Sequence, residues 1–189
     1  MFQSVRSHGR RHLVAAAILA GSALAGCQEV PTAPPSDLSA QSKASPLGGG
    51  KWVTTNPRSR ARPAGLTDSG TKTFDVHAKD GGKFTFGRYT LTVPKNALEA
   101  DGQITISVGS GSIVGCGLSI SPDSLNGFLK PVTLSINCSG TNVTSTNITG
   151  LAIFWRTQGG WLNVGGIADP TTLTVSADLW HFSDYRAGW

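Results

Sequence analysis

From Thr71 onward the chain is written in short alternations of apolar and polar residues. In Tyr89-Thr90-Leu91-Thr92-Val93 and Leu173-Thr174-Val175-Ser176-Ala177 every second residue is apolar, the period of a strand with one face buried and the other in water. Comparable β-branched and aromatic runs cover 73–77, 83–86, 88–93, 103–108, 113–120, 131–137, 148–156, 161–164 and 171–178, and a last strand is expected over 180–185. Gly, Asn, Asp and Pro separate these runs, and Gln158-Gly159-Gly160 fits a hairpin turn. Helical periodicity is absent beyond the N-terminus; only 96–99 is expected to form a single turn. Many short strands at close spacing predict an all-β domain over residues 71–189, an antiparallel β-sandwich or a partly open barrel.

The N-terminus follows a different pattern. Arg6, Arg10 and Arg11 precede an apolar run over 13–25, which is shorter than the roughly 20 residues a spanning helix needs. Small residues then lead to a cysteine in Leu24-Ala25-Gly26-Cys27, as at the cleavage end of an export signal. This four-residue pattern resembles the lipobox of bacterial lipoproteins. The resemblance implies that residues 1–26 are a signal peptide and that Cys27 becomes the acylated first residue, carrying palmitate or a similar chain. Gln28 stands where an aspartate is linked to inner-membrane retention, so the resemblance implies an outer-membrane location. Residues 27–70 then read as the lipidated cysteine and a disordered tether. Six prolines from Pro31 to Pro63 and the run Gly48-Gly49-Gly50 interrupt any apolar period there. Trp52-Val53 is the one apolar spot within the tether; docking on the domain is the alternative to the mobile state expected of a solitary pair in a polar stretch.

Charge changes the picture only once it is divided along the chain. The 189 residues carry a formal +5, but three of those positives are the leader's. Residues 28–70 hold five basic and three acidic side chains. From Thr71 onward eight Lys or Arg meet eight Asp or Glu. The folded part is formally neutral, which argues against a nucleic-acid partner, because such a partner needs a basic face.

Three cysteines are present. With Cys27 assigned to the anchor, Cys116 and Cys138 remain as a pair, and an oxidising compartment makes a disulfide between them the expectation. Such a loop closure would contribute about 3 kcal/mol in the chain-entropy picture.

Within the β region a second resemblance emerges. Leu91-Thr92-Val93-Pro94, Ala97-Leu98 and Ile104-Thr105-Ile106 are similar to the opening of the ZU-five domain, the module of zonula occludens proteins, Unc-five netrin receptors and ankyrins. Lys130-Pro131-Val132-Thr133-Leu134-Ser135-Ile136 resembles its middle strand. Gly160-Trp161-Leu162-Asn163-Val164 resembles its glycine–tryptophan hairpin, and His181-Phe182-Ser183-Asp184-Tyr185 its closing strand. The pieces occur in the family's order across most of 83–185. The family commonly has Pro-Gly where this chain has Lys95-Asn96, and Asn tolerates the left-handed conformation that such a turn requires.

Some members of that family cleave themselves at His-Phe-Ser. By that analogy His181 would act as general base for Ser183, whose hydroxyl would attack the Phe182 carbonyl. The alternative is that Phe182 fills the core while His181 and Ser183 make ordinary hydrogen bonds. Trp155 and Trp161 are expected to pack within the sheets. Trp180 and Trp189 are the candidates for a binding surface, with Trp189, at the chain end, expected to be exposed. Beyond the leader only His77 and His181 remain, without the Cys/His spacing of a zinc site, so no metal or cofactor is expected. Together these readings describe a lipid-anchored cell-envelope protein whose β-domain is a non-catalytic protein-interaction module. An envelope protein is the expected partner and a glycan the second. A self-cleaving module is the competing class.

Overall fold

The computed structural model describes residues 50–56 and 69–189. The leader, Cys27 and most of the expected tether lie outside the described residues. The strands are β1 (Gly70–Val76), β2 (Gly82–Phe86), β3 (Tyr89–Val93), β4 (Gly102–Val108), β5 (Gly115–Ser121) and β6 (Val132–Asn137). They continue as β7 (Ala152–Thr157), β8 (Gly160–Gly165), β9 (Ile167–Asp169), β10 (Thr174–Leu179) and β11 (Asp184–Gly188). A six-stranded sheet runs β1-β4-β5-β11-β7-β8 and a five-stranded sheet runs β2-β3-β6-β10-β9. Both are antiparallel and neither closes into a barrel, so the sandwich is the architecture.

Alternation sets which side chains fill the space between the sheets. Leu91 pairs with Leu134 and Tyr89 with Ile136 across β3 and β6, and all four are buried, joining Ile104, Ile106 and Ile120 of the other sheet in one core. Burying such aliphatic side chains contributes about 1.5–3 kcal/mol each. On the opposite side of the five-stranded sheet, hydroxyls pair across strands: Thr85 with Thr90 at 3.0 Å, Ser135 with Ser176 at 2.8 Å, and Thr133 with Asp178 at 2.8 Å. That outer face is polar except at its β9 edge, where Ile167, opposite Ser176, is exposed.

One tie crosses between the sheets. The Tyr89 hydroxyl donates to the Gly115 carbonyl at 2.8 Å, filling the gap beside both cysteines. Cys116, on β5, and Cys138, just past β6, are free buried thiols, so the expected disulfide is not formed. They belong to opposite sheets, with the Tyr89 side chain reaching across beside them, and a disulfide needs Cβ atoms about 3.5–4.5 Å apart. The Cys138 sulfur lies instead 3.6 Å from the Ile136 carbonyl of its own strand. Burial raises both thiol pKa values, that of Cys138 to about 12.

Residues 50–56, expected in the tether, belong to the body. The Val53 N–H donates to the Ala187 carbonyl at 3.0 Å, and the Val53 carbonyl accepts from the Val114 N–H at 2.8 Å. Isolated bridges pair Trp52 with Gly188, Thr54 with Ile113 and Thr55 with Thr141. Val53 is fully buried.

Other boundaries shift for local reasons. The hairpin through Gln158 and Gly159 forms as expected, joining β7 to β8. Lys95-Asn96 makes a turn with Asn96 at φ 56°, the left-handed position anticipated for it. No helical turn forms at 96–99; among the described residues the one 3₁₀ turn is Asp123–Leu125. The strand expected from 171 starts at Thr174, because the Asp169 carboxylate accepts from the Thr171 N–H at 2.8 Å and the Thr172 hydroxyl at 2.7 Å, holding a turn. The strand expected from 180 starts at Asp184. There the Asn126 side chain substitutes for a neighbouring strand, its Oδ1 accepting from the Phe182 N–H at 2.6 Å and its Nδ2 donating to the Phe182 carbonyl at 3.1 Å.

Iodoacetamide is expected to leave Cys116 and Cys138 unmodified in the folded chain and to modify both in denaturant without any reductant. Intact mass reads the outcome, and a pair alkylated only after reduction would contradict the free-thiol state.

Candidate functional site

The two outer faces of the sandwich differ in kind. Against the hydroxyl-paired face of the five-stranded sheet stands a cleft of about 470 Å³ on the six-stranded sheet, over β5, β11, β7 and β8. Cross-strand register builds it. Arg186 lies opposite Gly115 on one side and Phe154 on the other, and Arg156 lies opposite Trp161. The two-residue turn of the β7–β8 hairpin dictates that last pairing.

Glycine makes the floor. A Cβ at Gly115 would stand 2.7 Å from the Tyr185 carbonyl and 2.8 Å from Cγ of Arg186, and one at Gly117 would stand 3.0 Å from the Asp184 carboxylate. Bare backbone on β5 therefore lets the Asp184 and Arg186 side chains lie across it.

Trp161 lines the cleft, and a cluster of rings braces it. Trp52, delivered by the docked segment, meets Phe154 edge-on at 5.4 Å and Trp161 at 5.5 Å. Phe154 points away from the core yet is fully buried. The Arg186 guanidinium sits 4.2 Å from the Trp161 ring centroid and 5.7 Å from that of Trp52, and the Arg156 guanidinium 6.0 Å from Trp161. Burial and the neighbouring Arg156 charge hold the Arg186 pKa below its ordinary value, with Asp184 opposing; the group stays charged at neutral pH. Among the described residues neither guanidinium forms an ion pair or a side-chain hydrogen bond.

The residues singled out from sequence lie elsewhere. Phe182 is in the core, against Phe128 at 4.7 Å. His181 Nδ1 lies 3.2 Å from the Phe182 carbonyl oxygen, and the imidazole stacks 4.1 Å from the Trp155 ring. The Ser183 hydroxyl donates to the Arg156 carbonyl at 3.4 Å. His181 is thus bonded to the carbonyl rather than to the hydroxyl it would have to deprotonate. Tyr185 fixes this loop from below, its hydroxyl donating to the His181 carbonyl at 2.7 Å.

Trp180 is half exposed. Trp189 departs from the expected exposure: its indole N–H donates to the Asn147 carbonyl at 2.9 Å and its backbone N–H to Lys51 at 3.0 Å. The Lys51 ammonium lies 4.9 Å over its ring. Trp155 packs inward against the core as expected, whereas Trp161 faces the cleft. Cys27 lies outside the described residues. Among the described residues no three His, Cys, Asp or Glu side chains gather as metal ligands.

Sequence reasoning missed Trp52, Arg156 and Arg186. The signal for Arg156 was present, since a hairpin turning at Gln158-Gly159 places Arg156 beside Trp161. Trp52 belongs to the apolar pair Trp52-Val53, but nothing local tells where on the domain that pair would dock. No protein-family model matches the chain, and no curated protein matches it either.

Intact-mass analysis of the purified chain is expected to show an unbroken Phe182–Ser183 bond, with the Ser183→Ala variant differing only by the lost oxygen. Loss of residues 183–189 that Ser183→Ala prevents would contradict this.

Proposed function

We propose that this chain is a lipid-anchored cell-envelope protein whose β-sandwich, similar to a ZU-five domain, is a non-catalytic protein-interaction module. The Trp161–Arg186 cleft is its binding surface. The observation that carries the reading is the concentration of Trp161, Arg156 and Arg186 in one concave region, with Trp52 packed against Trp161. Tryptophan and arginine dominate the binding energy of protein interfaces, and they do so from partly desolvated, well-packed positions such as these. A rigid aromatic side chain also loses little entropy when a partner arrives.

A protein partner fits better than a neutral glycan. Sugar rings stack on free aromatic faces, and Trp161 already carries the Arg186 guanidinium at 4.2 Å. Self-processing receives less support, because His181 and Ser183 point their polar atoms at different partners. The anchor rests on Leu24-Ala25-Gly26-Cys27. Several acyl chains on one residue hold a protein to a bilayer stably, where a single chain binds only marginally.

Two measurements check the two halves of this reading. Labelled palmitate fed to the native cell is expected to enter the chain and to be lost in Cys27→Ser; absence of label, or label that survives the substitution, would contradict the anchor. A photoreactive side chain at Ile113, on the cleft rim, is expected to crosslink an envelope protein in the native cell, while one at Thr85, on the other sheet, does not. Equal yields, or none, would contradict the assignment of the cleft.

A further inference from the structure

We propose that the cleft recognises a carboxylate on an acidic segment of the partner protein, and that Arg156 and Arg186 together receive it. This rests on reading the cleft as a protein-binding surface and names the chemistry it selects.

Two guanidinium groups share one indole. Arg186 and Arg156 lie 4.2 Å and 6.0 Å from the Trp161 centroid, close enough for the Arg156 charge to disfavour that of Arg186. Like charges held close together, with Arg186 half-buried, are unfavourable unless an anion completes the group. The contact with Trp161 restrains the Arg186 side chain beforehand, so less of its entropy remains to be lost when a ligand arrives. A guanidinium presents its N–H groups as a planar fork that matches the two oxygens of a carboxylate.

The charge count favours a monoanion. The cleft holds two arginines and one aspartate, Asp184. One carboxylate neutralises that excess, whereas a phosphate dianion would overshoot it and meet Asp184 as a like charge. The surroundings fit a peptide. Gly109 and Gly111, which line the same cleft, have nothing within 4 Å of where a Cβ would stand, so an extended segment can lie close to that rim while its acidic side chain reaches the arginines. The apolar edges of Trp52 and Phe154 are already paired with each other, so the open interaction in the cleft is the charged one.

The test uses the full chain in detergent with three probes: an acetylated and amidated Gly-Glu-Glu-Glu-Gly peptide, its glutamine counterpart, and trigalacturonate. Binding is read by displacement of the Trp161 indole N–H resonance and by titration. The glutamate peptide is expected to bind and to weaken as salt rises, with the glutamine peptide at least about tenfold weaker, the size of a lost charge-assisted contact. Arg156→Gln and Arg186→Gln are each expected to weaken the glutamate peptide about tenfold. Arg186→Lys, which keeps the charge but loses the fork, is expected to fall between. Asp184→Asn is expected to tighten binding, an outcome that general damage to the fold would not produce. Equal binding of the glutamate and glutamine peptides would overturn the proposal, as would trigalacturonate binding in place of the peptide. A partner crosslinked at Ile113 whose capture is indifferent to both arginine substitutions would overturn the carboxylate and leave the protein-binding reading standing. A glutamate peptide that moves Trp161, with no partner crosslinked at Ile113, would support the carboxylate chemistry and count against the protein-binding reading.

Discussion

Two hydrogen bonds at Val53 join the strands on which the cleft is built. Its N–H reaches Ala187 of β11 and its carbonyl accepts from Val114, just ahead of β5, so one residue of extended chain joins two strands at the end of the sandwich. Extended backbone sends successive side chains to opposite sides. With Val53 sealed in the core, Trp52 must emerge on the outer face, and there it covers Phe154 and braces Trp161. Closing the fold and building the cleft wall are therefore one event. A chain lacking this segment would expose both the Val53 site and the Phe154 ring, an apolar patch that a monomeric domain seldom tolerates.

The two outer faces show what the sequence spends on structure and what it spends on a site. Thr and Ser ladders on the five-stranded sheet satisfy local pairing and ask for nothing more. The other face breaks local preference in three ways: glycines in a central strand, an aromatic ring turned away from the core, and two cations drawn together. Each costs stability where it stands. Such local conflicts fit the binding surface proposed for this face. Asn126 and Tyr185 satisfy the backbone of the His181-Phe182-Ser183 stretch, while among the described residues the Trp155 indole N–H, on the ring stacked against His181, is buried without a partner.

The strands were legible because their alternation is a local property: β3 and β6 lie where Tyr89–Val93 and the 131–137 run place them, and the Gln158-Gly159 turn is where its glycines require. The segment 50–56 was not, because Pro and Gly surround it and its partners, Gly188, Ile113 and Thr141, are far along the chain. Long-range pairing of an isolated valine has no periodic signature. Strand β9, three residues long, is below the length at which alternation can be seen. The loop from Trp180 to Ser183 was read as strand because its residue types suit one, and only the distant Asn126 decides otherwise. The cysteine pair was inferred from compartment chemistry, whereas distance between opposite sheets governs whether the bond can form. Of the cleft, Trp161 and its neighbour Arg156 could be placed from the hairpin; Arg186 and Trp52 needed the sheet order.

The central physical claim is that an apparently loose N-terminal segment is part of the folded body. Amide hydrogen exchange at Val53 and Val114 tests it most directly, because both N–H groups are donors in the docking bonds and exchange reports the free energy of opening at each site. Protection comparable to that of the Leu134 amide, in the centre of β6, is the result expected. Exchange at Val53 and Val114 as fast as in an unstructured peptide, with Leu134 still protected, would show that the segment does not hold the cleft together.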